Sequence, residues 1–408
     1  TGDIKTATFT AANGEGYFAN TSGGAFTVNL PAGVAGAIVS FADYAGTWQT
    51  NNVTVAPNGT DKIGSTNANA TLNVEGQSVT FVFVDSTQGW INTMDSTSNV
   101  RAASFVTATV SGACNTLVTA PCCANTKIAT FTGPGTFCVS AIASSPTNNV
   151  VSYLVVAGGG SGGSGNVGGG GGAGGYREVK SPVTPYTASP LDGYGTPGNR
   201  ITVTAQAYSI AVGGGGPTPN GNGNPSTFSS ITSTAGGAGR GGATTGNTGG
   251  SGGGGGEGGG GGGAGNTPPV SPPQGRPGGT SPSTRGGGGG GADGPGCSGT
   301  PGPGGGGIGT GTQINPAAGT PGPSGPLKYF AGGGGGGSYK CGSYTPSGPG
   351  GYGGGGAGAV GGPGDTAGVA GTDNTGGGGG GTGYTAGPSA GGAANGGSGI
   401  VIIRYKFQ

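Results

Sequence analysis

The chain has 408 residues, of which 112 are glycine and 29 proline, with 14 basic against 13 acidic side chains and no histidine. Charge so sparse and balanced gives no electrostatic footprint for nucleic acid, and no stretch approaches the roughly 18 apolar residues of a membrane span, so neither a polynucleotide partner nor membrane insertion is expected. Without histidine the usual general base, the usual zinc ligand and every Ser/His or Cys/His arrangement are missing, so no catalytic residue, cofactor or metal is expected.

Residues 1–100 read as an all-β fibre module. Short apolar segments at 7–10, 25–30, 37–43, 53–56, 70–74 and 78–85 alternate with glycine, asparagine and aspartate turns, and no helical period persists. In the last segment Val79, Phe81 and Phe83 alternate with Thr80, Val82 and Val84, so both faces are apolar or β-branched. Such a strand in a small module suggests a core on one side and a partner chain on the other.

Residues 101–125 carry three cysteines and read as a connector. The six cysteines, Cys114, Cys122, Cys123, Cys138, Cys297 and Cys341, fit no zinc spacing, because the adjacent pair Cys122 and Cys123 cannot easily share one tetrahedral site. Disulfides among them are the expectation, and with them an oxidising, extracellular setting.

The third segment, 126–408, is glycine-rich and bounded by strands. Segments 128–131, 136–140 and 150–156 are apolar, the last a continuous VVSYLVV run that is either fully buried or covered by another subunit. Of the 112 glycines, 97 follow residue 156, interrupted at 176–212, 217–231, 266–285, 308–330 and 338–352. The closing GIVIIRYKF at 399–407 is able to pair with VVSYLVV, which requires the chain between them to be ordered.

Four runs contain six consecutive glycines: Gly258 to Gly263, Gly286 to Gly291, Gly332 to Gly337 and Gly376 to Gly381. A polyproline II backbone has three residues per turn and projects its N–H and C=O groups sideways, so runs without side chains can pack in a hexagonal array with each backbone bonded to its neighbours. Packed polyglycine II helices of this kind are the expected fold of the domain, with essentially no α-helix. Ordering glycine costs on the order of 1–2 kcal/mol per residue against about 1 kcal/mol per net hydrogen bond, so the array needs cooperativity and anchored ends. Collagen requires a strict three-residue glycine period, which the six-residue runs break. No GxGxxG here joins a strand to an amphipathic helix, and Glu257, Asp365 and Asp373 form no catalytic carboxylate pair.

YLVVAGGGSGG at 153–163, GGAGGYR at 171–177, AVGGGG at 211–216, TDNTGGGGGG at 372–381 and GGSGIVIIRY at 396–405, preceded by IATFTGPGTFCVS at 128–140, resemble the glycine-rich domain common in bacteriophage tail-fibre and virion proteins. YFANTSGGAFTVNLP at 17–31, DYAGTWQTNNVTV at 43–55 and GQSVTFVFVDSTQGW at 76–90 resemble a small β domain repeated along phage fibres, and that resemblance implies a homotrimer among other virion proteins. The polyglycine II sandwich of T-even-type tail-fibre adhesins is a more distant likeness.

These resemblances imply an extracellular virion appendage that attaches to a host-surface glycan or outer-membrane protein. The candidate contacts are the loop aromatics Tyr186, Tyr194, Phe228, Tyr329, Phe330, Tyr339 and Tyr344, since such rings give large contact area at low entropy cost; the alternative for each is that it covers the array. A purely structural fibre or capsid decoration, and a cellular glycine-rich matrix protein, are the competing readings. An ordered array predicts slow amide hydrogen exchange in the six-glycine runs, and fast exchange throughout them excludes it.

Overall fold

A computed structural model describes residues 4–96, 104–121, 123–282, 284–300, 302, 304–339, 346–361, 366–384 and 392–408. The chain divides into two compact units, Thr1–Ala103 and Ser104–Gln408. Among the described residues there are strands and two short 3-10 turns, Pro146–Asn149 and Pro197–Asn199, and no α-helix.

In the first unit the chain coils so that successive strands alternate between two sheets. Ile4–Lys5, Glu15–Ala19 and Ile38–Asp43 stack in parallel in one sheet, while Phe9–Thr10, Phe26–Asn29 and Val53–Ala56 stack in parallel in the other. Antiparallel strands then finish both sheets, Ala70–Leu72 on the second and the hairpin Ser78–Asp85 with Gly89–Ser96 on the first. Trp48, Trp90, Phe41, Phe81, Val28 and Leu30 fill the space between. One buried carboxylate fixes a long turn: Asp43 accepts backbone N–H bonds from Gly46, Trp48 and Gly76 at 2.9–3.2 Å. Sequence reasoning missed strand Glu15–Ala19, whose alternation is broken by Gly16 and by a half-exposed Phe18.

In the second unit, Thr116–Ala120, Cys123–Phe131, Ile400–Lys406, Val150–Val156 and Tyr176–Val179 form one sheet in that order. The closing strand lies between two earlier ones, with Tyr153 opposite Ile403 and Ala129 opposite Ile403 on its other edge. Both faces of VVSYLVV are covered within the chain. Val151, Tyr153 and Val155 meet Phe131, Phe137 and Phe228 on one side. Leu154 and Val156 meet Tyr176, Phe330 and Ile402 on the other. Within the expected connector 101–125, Thr107–Ser111 and Thr116–Ala120 are strands of this unit, paired with Gly135–Ala141 and Cys123–Phe131.

The glycine runs form a bundle that continues from the strand ends, run 157–163 following Val150–Val156 and run 168–175 preceding Tyr176–Val179. In the run 168–175, N–H groups point to the same neighbour every third residue. Gly168, Gly171 and Gly174 donate to Thr382, Gly379 and Gly376; Gly169, Gly172 and Gly175 donate to Arg240, Gly237 and Thr234; Gly170 and Ala173 donate to Gly287 and Gly290. The same run accepts from Gly160, Gly254 and Gly334, which belong to three further runs. A period of three is that of the polyproline II backbone.

The six surrounding runs, 157–163, 376–382, 332–337, 286–291, 251–257 and 234–240, are bonded one to the next around the ring. The links are Gly379 to Gly160, Gly378 to Gly332, Gly289 to Gly334, Gly287 to Gly255, Gly237 to Ser251 and Gly236 to Gly158. A second shell, including 211–216, 244–250, 276–281, 304–309, 346–352 and 392–399, bonds to this ring from outside.

Three of the four six-glycine runs lie in the ring and are buried throughout; the fourth is different. Gly258 and Gly259 take φ values of +81° and +111° in an exposed turn, and that run bonds to the ring through Gly260 to Gly256 and Gly263 to Gly253. The buried run in its place is 252–256.

Close approach explains the composition. A Cβ on Gly169, Gly170 or Gly171 would stand 2.2, 2.0 or 2.1 Å from the carbonyl oxygens of Gly254, Gly334 and Gly160, backbone atoms that neighbours on every side hold in place. Gly171→Ala therefore lowers stability by about 3 kcal/mol, the upper range for overpacking, whereas Gly195→Ala, at an exposed site with no atom within 4 Å, is neutral. Denaturant midpoints of the two variants check this.

Candidate functional site

The bundle has two distinct ends. At one, runs continue from strands: Ala157 follows Val150–Val156, Ala331 follows Lys328–Phe330, and Gly175 precedes Tyr176–Val179. Ala173, Ala292 and Ala331 pack there against Ile128, Ile314 and Ile402. At the far end, Gly168 donates to Thr382, Gly337 to Gly168 and Glu257 to Val167, which sets the 163–168 turn, Ser338 and Glu257 side by side. Thr382 Oγ1 donates to the carbonyls of Gly163 and Gly165 and closes that turn.

Two parallel runs deliver a pair of aromatic rings to the far end. Gly378 and Gly381 donate to Gly332 and Gly335, so 332–337 and 376–381 travel in the same direction and end together. Tyr339 and Tyr384 follow them, half-buried, with rings 4.7 Å apart in an edge-on arrangement and their backbones bridged. A cleft of about 430 Å³ at the same end is lined by Gly242, Ala243, Glu257, Gly258 and Thr284. The half-exposed Glu257 and the exposed Thr284 are the polar residues of that lining.

The other aromatic candidates are dispersed. Phe228 and Phe330 are fully buried, Phe228 against the rings of Phe137, Tyr153 and Tyr208, so neither reaches a surface; both cover the array or fill the core instead. Tyr329 is 8 % exposed and stacks near Tyr352, which is 54 % exposed and was missed from sequence. Tyr194 lies under the Arg200 guanidinium, 4.3 Å from its ring centroid. Tyr344 lies outside the described residues, as do Cys122 and Cys341. Tyr384 was also missed, although it follows its glycine run much as Tyr339 follows 332–337; that repeated spacing is the signal that could have found it.

Cys114, Cys138 and Cys297 are exposed, and among the described residues none of them is joined in a disulfide. Cys138 sits mid-strand opposite Thr109, and Cys114 occupies a left-handed turn position at φ +63°. The Cys123 thiol donates to the Pro185 carbonyl at 3.6 Å. Among the described residues no group of acidic, cysteine or histidine side chains could hold a metal ion, and no helix is long and apolar enough to cross a membrane.

Tyr186 is drawn into a buried polar network at the sheet end. Arg404, fully buried, donates to the Pro185 carbonyl at 2.9 Å and the Ile314 carbonyl at 3.3 Å, and lies 5.2 Å from the Tyr186 ring centroid. Glu178 accepts from Thr312 Oγ1 at 2.6 Å, the Tyr176 hydroxyl at 2.7 Å and the Ser189 N–H at 3.0 Å. Burial pushes the Glu178 carboxyl above the ordinary carboxylate range, against the opposing pull of its bonds from Ser189, Thr312 and Tyr176. Burial likewise holds the Tyr176 and Tyr186 phenols well above their usual value.

The first unit bears its own surface groove of about 610 Å³, lined among others by Gly16, Phe18, Ser40, Thr80 and Met94. Strand register puts Ile4, Phe18, Ile38, Val82 and Met94 on one outer sheet face, and four of these are exposed: Ile4 41 %, Phe18 50 %, Ile38 44 % and Met94 69 %.

A family model described as a glycine-rich domain matches residues 132–406. A comparison with curated proteins finds no match to the chain.

Glu178 also sets a pH dependence. Its pKa is higher in the native than in the unfolded chain, so the native state binds the extra proton between the two values. Its contribution to stability is full below the ordinary carboxylate range and is lost as pH rises through the raised native value. Glu178→Gln cannot ionise and flattens that decline, as read from unfolding midpoints across the acidic to neutral range.

Proposed function

Because the chain belongs to the glycine-rich domain family through residues 132–406, we propose that it is a virion appendage of the bacteriophage tail-fibre type, with its glycine runs packed as polyglycine II helices. The first unit holds copies together, three to a fibre, through the apolar outer face carrying Phe18 and Met94. The bundle is a stiff stem, and its far end meets a host-surface glycan or outer-membrane protein. The reading is carried by one observation: two parallel glycine runs bring the Tyr339 and Tyr384 rings together at the end away from the sheets. Paired rings with a neighbouring carboxylate cleft suit stacking against a sugar or a protein side chain.

A purely structural role, as fibre shaft or capsid decoration, is favoured by the burial of Phe228 and Phe330, which takes two of the named aromatics out of contact with any ligand. Labelled protein incubated with a panel of bacterial cells separates the two. The attachment reading expects Tyr339→Ser combined with Tyr384→Ser to lower cell binding at least about tenfold, a loss near 1.4 kcal/mol, with the unfolding midpoint unchanged. Protein that adheres to virion heads and to no cell overturns it. Phe18→Ser with Met94→Ser is expected to convert the oligomer to monomer in light scattering.

A further inference from the structure

At the sheet end of the second unit, a cleft of about 340 Å³ opens between the Cys123–Phe131 strand, the 315–320 loop and the 372–375 turn. Eight of its thirteen lining residues are threonine or asparagine. Its floor is fixed internally: Asn315 Nδ2 donates to Thr130 Oγ1 at 3.0 Å, and Thr375 Oγ1 donates to the Thr372 carbonyl at 2.6 Å. These bonds tie the strand to the 315–320 loop and fix the 372–375 turn.

The rim is different. Thr116 and Thr372 are exposed, and neither hydroxyl engages a described partner. Asn374 adopts φ +59°, held there by its N–H donating to Ser398 Oγ at 2.9 Å, and its amide nitrogen is likewise unengaged. Asp373 accepts the Ser398 N–H at 3.0 Å through one oxygen, leaving the other for a ligand. Ile400, Ala317 and Ala318 supply the apolar part of the lining.

We propose that this cleft binds one neutral sugar ring. Hydroxyl, carboxamide and carboxylate groups match the mixed donors and acceptors of a polyol, and the aliphatic lining matches the C–H face of its ring. The lining contains no lysine or arginine, and its only formal charge is negative, so phosphate and carboxylate ligands are disfavoured. The volume lies at the small end of ligand sites, suited to a single ring, and the fixed floor lowers the ordering cost of binding. The site is at the opposite end of the bundle from Tyr339 and Tyr384 and does not rest on the attachment reading.

The test uses the full chain. Saturation-transfer NMR with D-glucose, D-galactose, N-acetyl-D-glucosamine and L-rhamnose, followed by calorimetric titration, is expected to find at least one binding with Kd of about 1 mM. Beads bearing the same sugars as terminal residues distinguish a polymer-borne ring from a free one; binding to beads alone, lost in the variants below, assigns the polymer as the source and supports the site. Asn374→Gly keeps the left-handed backbone and removes the carboxamide, and Thr372→Val removes a hydroxyl. Each weakens binding about tenfold with an unchanged unfolding midpoint. The Tyr339→Ser, Tyr384→Ser protein binds the sugar as the parent does, so failure here and failure of the far-end reading are separable. Absence of any transfer signal and of bead binding, or affinity unaltered in both cleft variants, overturns the proposal.

Discussion

Everything in the second unit depends on backbone amides reaching carbonyls of other runs without a side chain between them. A hydrophobic core is non-directional and tolerates exchange of one apolar group for another. The run 168–175 is directional at every residue, since each of its N–H groups has one assigned acceptor and its glycines leave no room for a Cβ. Glycine is needed there for proximity rather than for unusual dihedral angles: the runs 168–175 and 332–337 contain no residue at positive φ. The sheets supply what such an array lacks, a conventional apolar base of Ile128, Leu154, Phe330 and Ile402 from which the runs start in fixed positions.

The same geometry relaxes at the perimeter. A run with a period of three and neighbours on only part of its circumference turns every third residue outward. Outer runs accordingly expose Ala211, Gly214 and Pro217; Thr245 and Thr248; Pro277 and Thr280; and Pro349 and Tyr352. Proline suits these sites because it has no N–H, and an outward N–H has no neighbour to serve.

Much of this was legible in the sequence. The pairing of VVSYLVV with GIVIIRY followed from two continuous apolar segments that needed covering, and strands 53–56 and 78–85 were bounded as observed because alternation there is unbroken. What could not be read was rank within the array. The run beginning at Gly258 looks identical to the one beginning at Gly286, yet one turns at the edge and the other is interior. Conversely 236–239 within TAGGAGR is buried despite Ala238, whose N–H is served by the Asn222 carboxamide at 2.9 Å in place of a further run. Site residues were harder still. An aromatic next to glycine lies at the surface or in the core according to which end of a run it terminates, as Tyr339 and Phe330 at the two ends of one run demonstrate.

The position of Ile400–Lys406 between Cys123–Phe131 and Val150–Val156 has a further effect. The two outer strands are synthesised more than two hundred residues before the one that joins them. Until it arrives, each presents an unpaired apolar edge, and the runs between have only one end moored. A chain terminated anywhere in the glycine-rich interval would keep that gap open, displaying a template for adhesion to its own kind. Loss of Ile400–Lys406 alone is thus enough to open a seam between those two strands.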